Sequence, residues 1–216
     1  MKIVSIKNFN IPDIKIIRFT RFCDQRGYFT ESFRKSDFFG HPEMEFMKGL
    51  EFVQVSESFS RTLTMRGMHY QWNPFMGKLV RTVRGRMVDL MLDIRKGSPT
   101  FGMATMYDMP ATLERDYNEW LWLPPGFAHG NFFTEESQIE YFCTGEYSQG
   151  CEGCISPLAK DIDWSRADST LKKEFDSITA KTTLMTDKDR NGFSLEAWVK
   201  DDRSDNFIYE TPIPKA

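Results

Sequence analysis

Between residues 51 and 148 the chain is a succession of short apolar stretches, several alternating with polar positions and separated by turn signals. The clearest is M-V-D-L-M-L-D-I, residues 87–94. Val88, Leu90, Leu92 and Ile94 fall on one face of an extended segment and Met87, Asp89, Met91 and Asp93 on the other, which predicts a half-buried strand. Arg84-Gly85, just before it, predicts a hairpin with K-L-V-R-T-V, because glycine accepts the positive φ of a tight turn. Further strands are expected at F-V-Q-V-S-E-S, F-G-M-A-T-M-Y-D-M, E-W-L-W-L and Q-I-E-Y-F-C-T, with breaks at S-P-T, at P-P-G and around G-C-E-G-C. Many short strands punctuated this way form an all-β sandwich or barrel. Helix formers gather later, in S-R-A-D-S-T-L-K-K-E-F-D-S-I, with a serine as the expected cap. The expectation is a β domain over residues 1–164 and a helical extension over 165–216 packing on it, its charged, Pro-containing tail either packed or loose.

A length of 216 residues suits one domain with a substantial core. No apolar run approaches the ~18 residues of a membrane span. The net charge of -3 argues against a nucleic-acid partner. The amino terminus has no secretory pattern, so the cytoplasm is the expected compartment. No βαβ alternation, G-x-G-x-x-G or Walker loop is present. C-E-G-C at 151–154 has the spacing of a redox or zinc motif, but no second ligand pair accompanies it, and plain reduced thiols are expected.

The chemistry concentrates around R-G-M-H-Y-Q, residues 66–71, which holds one of three histidines, His41, His69 and His129. A lone strand histidine is more often structural than catalytic, yet its neighbours change that reading. If strands 64–72 and 78–84 pair through the W-N-P-F-M connection, Arg66 and Lys78 come close to His69. Strict alternation sets His69 and Arg66 on opposite faces, so both serve one pocket only if a bulge falls at Gly67. Imidazole, ammonium and aromatics without a metal constellation suit proton transfer on an anionic ligand: histidine takes a proton from carbon and lysine stabilises the enolate oxygen.

R-G-M-H-Y-Q, G-K-L-V-R-T-V-R-G at 77–85, D-I-R-K-G-S-P-T-F-G at 93–102, L-P-P-G-F-A-H-G at 123–130 and D-Q-R-G-Y-F-T-E-S-F at 24–33 together resemble the dTDP-4-dehydrorhamnose 3,5-epimerase family, over roughly residues 10–164. The resemblance implies a mainly β jelly-roll of the cupin type, a homodimer, and no metal or organic cofactor. It also implies as substrate a nucleotide-diphosphate-linked 4-keto-6-deoxy sugar, inverted at C3, C5 or both. By position it implies His69 as base, Lys78 at the C4 oxygen, Tyr141 as proton donor and Asp189, from T-D-K-D at 186–189, as the carboxylate orienting the base, with Asp187 as its rival. Arg26, Phe29 and Glu31 match the amino-terminal ligand motif, Arg66 suits the diphosphate, and His129 matches a histidine near the sugar with Asp89 as its partner. Gln54, Ser56 and Tyr147 match positions on the nucleotide side.

Three departures stand out: Ser56 replaces a frequent asparagine, C-E-G-C-I-S-P-L replaces an E-x-G-I-x-W-x-D-P run, and residues 165–183 form a longer approach to T-D-K-D. These leave the nucleotide open among dTDP, CDP and GDP. The alternatives are a single-centre epimerase, a ketoisomerase of the same superfamily, and a non-catalytic sugar-binding cupin.

Overall fold

The computed structural model describes residues 2–181 and 183–210. The strands are β1 (Ile3–Asn8), β2 (Lys15–Thr20), β3 (Phe22–Asp24), β4 (Gly27–Phe29), β5 (Gln54–Ser60), β6 (Met65–Gln71), β7 (Lys78–Arg84), β8 (Arg86–Asp93), β9 (Ala104–Pro110), β10 (Tyr117–Leu123), β11 (Phe127–Phe133), β12 (Ser137–Cys143) and β13 (Glu152–Cys154). The helices are α1 (Lys35–Gly40), α2 (Ser169–Thr179), α3 (Asp187–Arg190) and α4 (Leu195–Lys200), with 3-10 turns at Pro42–Met47 and Asp202–Asn206. One antiparallel sheet has the order β1-β2-β10-β7-β12-β5 and a second β13-β6-β11-β8-β9, while β3 and β4 form a separate ribbon. The two large sheets face each other as a jelly-roll sandwich.

Apolar side chains fill three layers. Val80, Leu121, Leu123 and Ile139 of one sheet meet Met87, Met91, Phe127 and Phe133 of the other in the middle. Outside the five-stranded sheet, Met65, Met68, Tyr70, Val88, Leu90 and Phe132 pack against Leu171, Phe175, Ile178, Leu195, Trp198 and Phe207 of the carboxyl-terminal segment. Outside the six-stranded sheet, Ile17, Phe19, Leu79, Trp120 and Trp122 meet Phe38, Met44 and Met47. Each of these large side chains contributes about 1.5–3 kcal/mol when buried.

This layering corrects four local expectations. β8 is buried on both faces, because its Val88–Leu90 face lies under the carboxyl-terminal helices and its Met87–Met91 face lies inside the sandwich. Gly85 does take a positive φ of 78°, but the turn moves the chain between layers instead of closing a hairpin. β7 pairs with β10 and β12, whereas β8 pairs with β9 and β11. In the same way β6 and β7 do not pair; they lie in opposite sheets, so His69 and Lys78 meet across the sandwich. The expected break around G-C-E-G-C contains β13, which pairs antiparallel with β6.

The cap of α2 is Asp168 and not a serine: its carboxylate accepts from the backbone N–H groups of Thr170 (2.8 Å) and Leu171 (3.1 Å). Leu171, Phe175 and Ile178 then recur at helical spacing and turn one face into the core. The tail packs through Phe207, and Ile208 bridges to Lys96; residues 211–216 of the Pro-containing end lie outside the described residues. Among the described residues no helix is long and apolar enough to cross a membrane.

Candidate active site

The sandwich leaves a cavity of about 330 Å³ between its sheets. β6 supplies Arg66 and His69 to it, β7 Lys78, β11 His129 and Asn131, β12 Tyr141, β13 Glu152, and the segment around α3 Thr186, Lys188 and Asp189. A second cavity of about 240 Å³ shares His69, Lys78, Tyr141 and Glu152 with the first and adds Gln54, Cys143 and Tyr147.

β6 reaches the cavity with both Arg66 and His69 because its alternation is broken. His69 stands opposite His129 and Arg66 opposite Asn131, so Gly67 and Met68 together face the single residue Gly130, a bulge. Gly67 sits at φ +97°, and a Cβ there would meet Gly130 Cα and His129 O at 2.6 Å, so only glycine fits. Met65, Met68 and Tyr70 consequently turn to the helical layer while Arg66 and His69 turn inward.

His69 Nε2 lies 2.6 Å from Asp189 Oδ1. Asp189, and not Asp187, therefore meets the imidazole. It is the third residue of α3, whose cap Thr186 takes the Asp189 backbone N–H at 3.2 Å. Burial works against the Asp189 charge, but the bond and charge of His69, with help from Thr186 and the Gly67 N–H, hold its carboxyl below the usual range. A carboxylate at Nε2 takes that nitrogen's proton in a hydrogen bond, which leaves Nδ1 as the ring's lone-pair site in the neutral form.

Burial pulls the Lys78 ammonium below the ordinary lysine range, with Cys143, Asp89 and Glu152 acting the other way. Among the described residues no carboxylate pairs with it, which leaves its donors for a ligand. Burial and nearby Cys143 raise the Tyr141 phenol, partly offset by Ser56 and Arg66, so it keeps its proton at neutral pH. His129 Nε2 lies 2.5 Å from Asp89 Oδ1 in a buried position, and burial pulls its pKa down despite that aspartate.

Arg66 donates to Ser60 Oγ (3.0 Å) and Phe59 O (3.1 Å), which fixes the guanidinium beside β5 at the cavity rim. At the second cavity, Gln54 Oε1 accepts from the Tyr147 N–H (2.8 Å), and Gln54 Nε2 donates to Ser56 Oγ (3.0 Å). Ser56 itself stands beside Tyr141 as its cross-strand partner. Glu152 Oε1 accepts from Tyr147 OH (2.8 Å) and pairs with Lys188 Nζ (2.6 Å).

Arg26, Phe29 and Glu31 stand apart. They lie on or beside the β3–β4 ribbon and line neither cavity of this chain. Arg26 pairs with Asp24 at 2.6 Å, Glu31 pairs with Arg34, and Phe29 is 65% exposed. His41 accepts from the Glu43 N–H at the start of the 42–47 turn, far from this chemistry.

Sequence reasoning missed Ser58, Asn131, Glu152, Thr186 and Lys188. Glu152 was hidden in C-E-G-C, which invites attention to its thiols, and Lys188 sits between the two aspartates of T-D-K-D. The four cysteines are free. Cys151 precedes the extended strand β13 and Cys154 ends it, which keeps the two thiols apart. Burial, then nearby Asp189, pushes the Cys154 thiol up to about 12.

Comparison with known proteins points to one family. The sequence model of the dTDP-4-dehydrorhamnose 3,5-epimerase family matches residues 8–197. The Shigella flexneri dTDP-4-dehydrorhamnose 3,5-epimerase is 38% identical over 184 residues, 84% of this chain and 91% of that protein. The structure of dTDP-6-deoxy-D-glucose-3,5-epimerase from Legionella pneumophila, in complex with dTDP-4-keto-L-rhamnose, superposes with a TM-score of 0.77 at 28% identity, covering 96% of this chain and 99% of that one. A 3'-monoepimerase from Streptomyces bikiniensis in complex with dTDP-quinovose gives a TM-score of 0.67 at 25% identity, over 93% and 90% of the two chains. The fold is thus that of a cupin-type enzyme of the isomerase class. More particularly, the chain belongs to the dTDP-4-dehydrorhamnose 3,5-epimerase family.

Proposed function

We propose that the protein epimerises a dTDP-linked 4-keto-6-deoxy sugar at C3 and C5. His69 removes the proton next to the C4 ketone, Lys78 takes the charge that develops on the C4 oxygen, and Tyr141 returns a proton from the other side. The observation that carries this reading is the convergence on one cavity of the His69–Asp189 pair, an ammonium without a carboxylate partner among the described residues, and a protonated phenol. Base and acid come from opposite sheets, β6 and β12, so a flat enolate held between them has one on each face. Arg66 at the rim grips the diphosphate, and Gln54 and Tyr147, joined by Glu152 and Lys188, receive the nucleotide.

Arg26, Phe29 and Glu31 serve the cavity of a second copy in a homodimer, which accounts for their lining neither cavity of their own chain and for the exposure of Phe29. Four free thiols suit the reducing cytoplasm.

Inversion at C3 alone is the second reading, favoured by the likeness to the Streptomyces bikiniensis 3'-monoepimerase. Incubation in heavy water with dTDP-4-keto-6-deoxyglucose, followed by NMR, separates the two. Deuterium is expected at both carbons; deuterium at C3 alone establishes the single-centre form, and none with dTDP-, CDP- or GDP-linked sugar overturns the catalytic reading.

A further inference from the structure

We propose that His69, Asp189 and Cys154 form a site for a thiophilic divalent cation, Zn²⁺ foremost, and that a cation bound there silences the base. Three separate elements deliver the donors. β13 pairs with β6 so that Cys154 stands opposite His69, and α3 places Asp189 against both. Cys154 Sγ lies 3.9 Å from Asp189 Oδ1, Asp189 Oδ1 lies 2.6 Å from His69 Nε2, and the three donor atoms all fall within 4.8 Å of one another.

One sulfur, one imidazole nitrogen and one carboxylate oxygen make a donor set that zinc takes in preference to magnesium or calcium, which favour oxygen alone. Bonds of about 2.3 Å to sulfur and about 2.0–2.2 Å to nitrogen and oxygen put tetrahedral ligands roughly 3.3–3.7 Å apart. The oxygen–nitrogen separation must therefore open and the oxygen–sulfur separation close, each by side-chain movement alone. His69 and Asp189 line the cavity, so the fourth position faces its water. Binding exchanges the thiol proton for a metal–sulfur bond, the proton leaving to solvent, with no change of oxidation state. The metal also takes Nε2 and Oδ1 from each other. The proton that Nε2 carried moves to Nδ1, so with Nε2 on the metal the ring has no free lone pair left with which to act as a base.

Cation binding does not depend on the epimerase reading; only the inhibition does. Metal-free protein is titrated with Zn²⁺ by calorimetry and with Co²⁺ by absorption. The wild type should bind one Zn²⁺ with this donor set and show a thiolate-to-cobalt charge-transfer band. Cys154→Ala should lose the band and bind Zn²⁺ roughly 10–100-fold more weakly or worse, since even outer partners of metal ligands cost that much. Its rate without metal should match the wild type, and it should resist zinc at concentrations that silence the wild type. Cys154→Ser, which preserves size, should behave the same way and covers a folding failure of the alanine form. A wild type without the band, or either variant binding zinc as tightly as the wild type, overturns the proposal. Inactivity on every nucleotide sugar with the band intact supports the cation site and sinks the epimerase reading instead.

Discussion

His69 and His129 stand opposite each other in the β6–β11 register, and the Nε2 of each meets an aspartate oxygen, at 2.6 Å and 2.5 Å. Their surroundings differ. The His69 side chain is 34% exposed to the cavity and its aspartate comes from a short helix near the carboxyl end; the His129 side chain is 8% exposed and its aspartate sits on the neighbouring strand β8. A carboxylate partner is therefore not what separates a base from a structural imidazole. On the proposed reading of His69 as the base, access to a ligand is. His129, whose pKa burial lowers, lines the same cavity as Lys78.

The sharpest test of this contrast is to replace each ring. His69→Asn should lower the epimerisation rate by about 10³-fold, within the span of general base catalysis, with the denaturation midpoint little changed. A His69 variant with an unaltered rate breaks the comparison outright. Asp189→Asn, which keeps the shape but turns an acceptor into an amide, should misplace the imidazole and lower the rate by about a hundredfold, again in a folded protein.

His129→Asn should act on stability instead, costing about 1–3 kcal/mol as the buried Asp89 carboxylate loses its partner. Its pH signature follows from linkage. The folded pKa of His129 lies below the ordinary 6.5, so its contribution is complete above that pH. As pH falls, the unfolded chain takes up a proton that the folded protein refuses, and stability drops by up to about 1.4 kcal/mol per pH unit until the folded pKa is passed. Chemical denaturation between neutral and mildly acidic pH should show that slope in the wild type and lose it in the variant. A slope retained in full assigns the acid sensitivity elsewhere.

The smallest effect concerns Lys78. Burial lowers its pKa from the ordinary lysine value, whereas burial raises that of Tyr141. The alkaline limb of kcat/KM should fall below pH 10.5, the ordinary lysine value. In Lys78→Arg the activity that remains should have this limb displaced upward, because a guanidinium keeps its charge; a limb at the same pH would assign it to another group.

Much of this site was legible because its residues cluster in short segments. R-G-M-H-Y-Q holds Arg66 and His69 together, and the glycine between them marks where alternation fails. What escaped reading was set by pairing between distant segments. A six-residue link between β6 and β7 looks like a hairpin loop, and only the partners from β11, β12 and β13 show that it crosses between sheets. β8 reads as half-buried because Asp89 and Asp93 interrupt its second face, yet both aspartates are buried, beside His129 and Arg95 respectively. Glu152 and Lys188 make a pair 36 residues apart in sequence, beyond the reach of any local pattern. α3 has only four residues, too few for helical periodicity, so Asp189 could be singled out only through the likeness of T-D-K-D to a family motif.

The bond between His69 and Asp189 closes a span of 120 residues. On a ribosome adding about 5–20 residues per second, that separation amounts to roughly 6–24 s during which the imidazole has been made and its aspartate has not. A growing chain thus carries its histidine long before the carboxylate that meets it, and chains cut short before α3 are born without that pair.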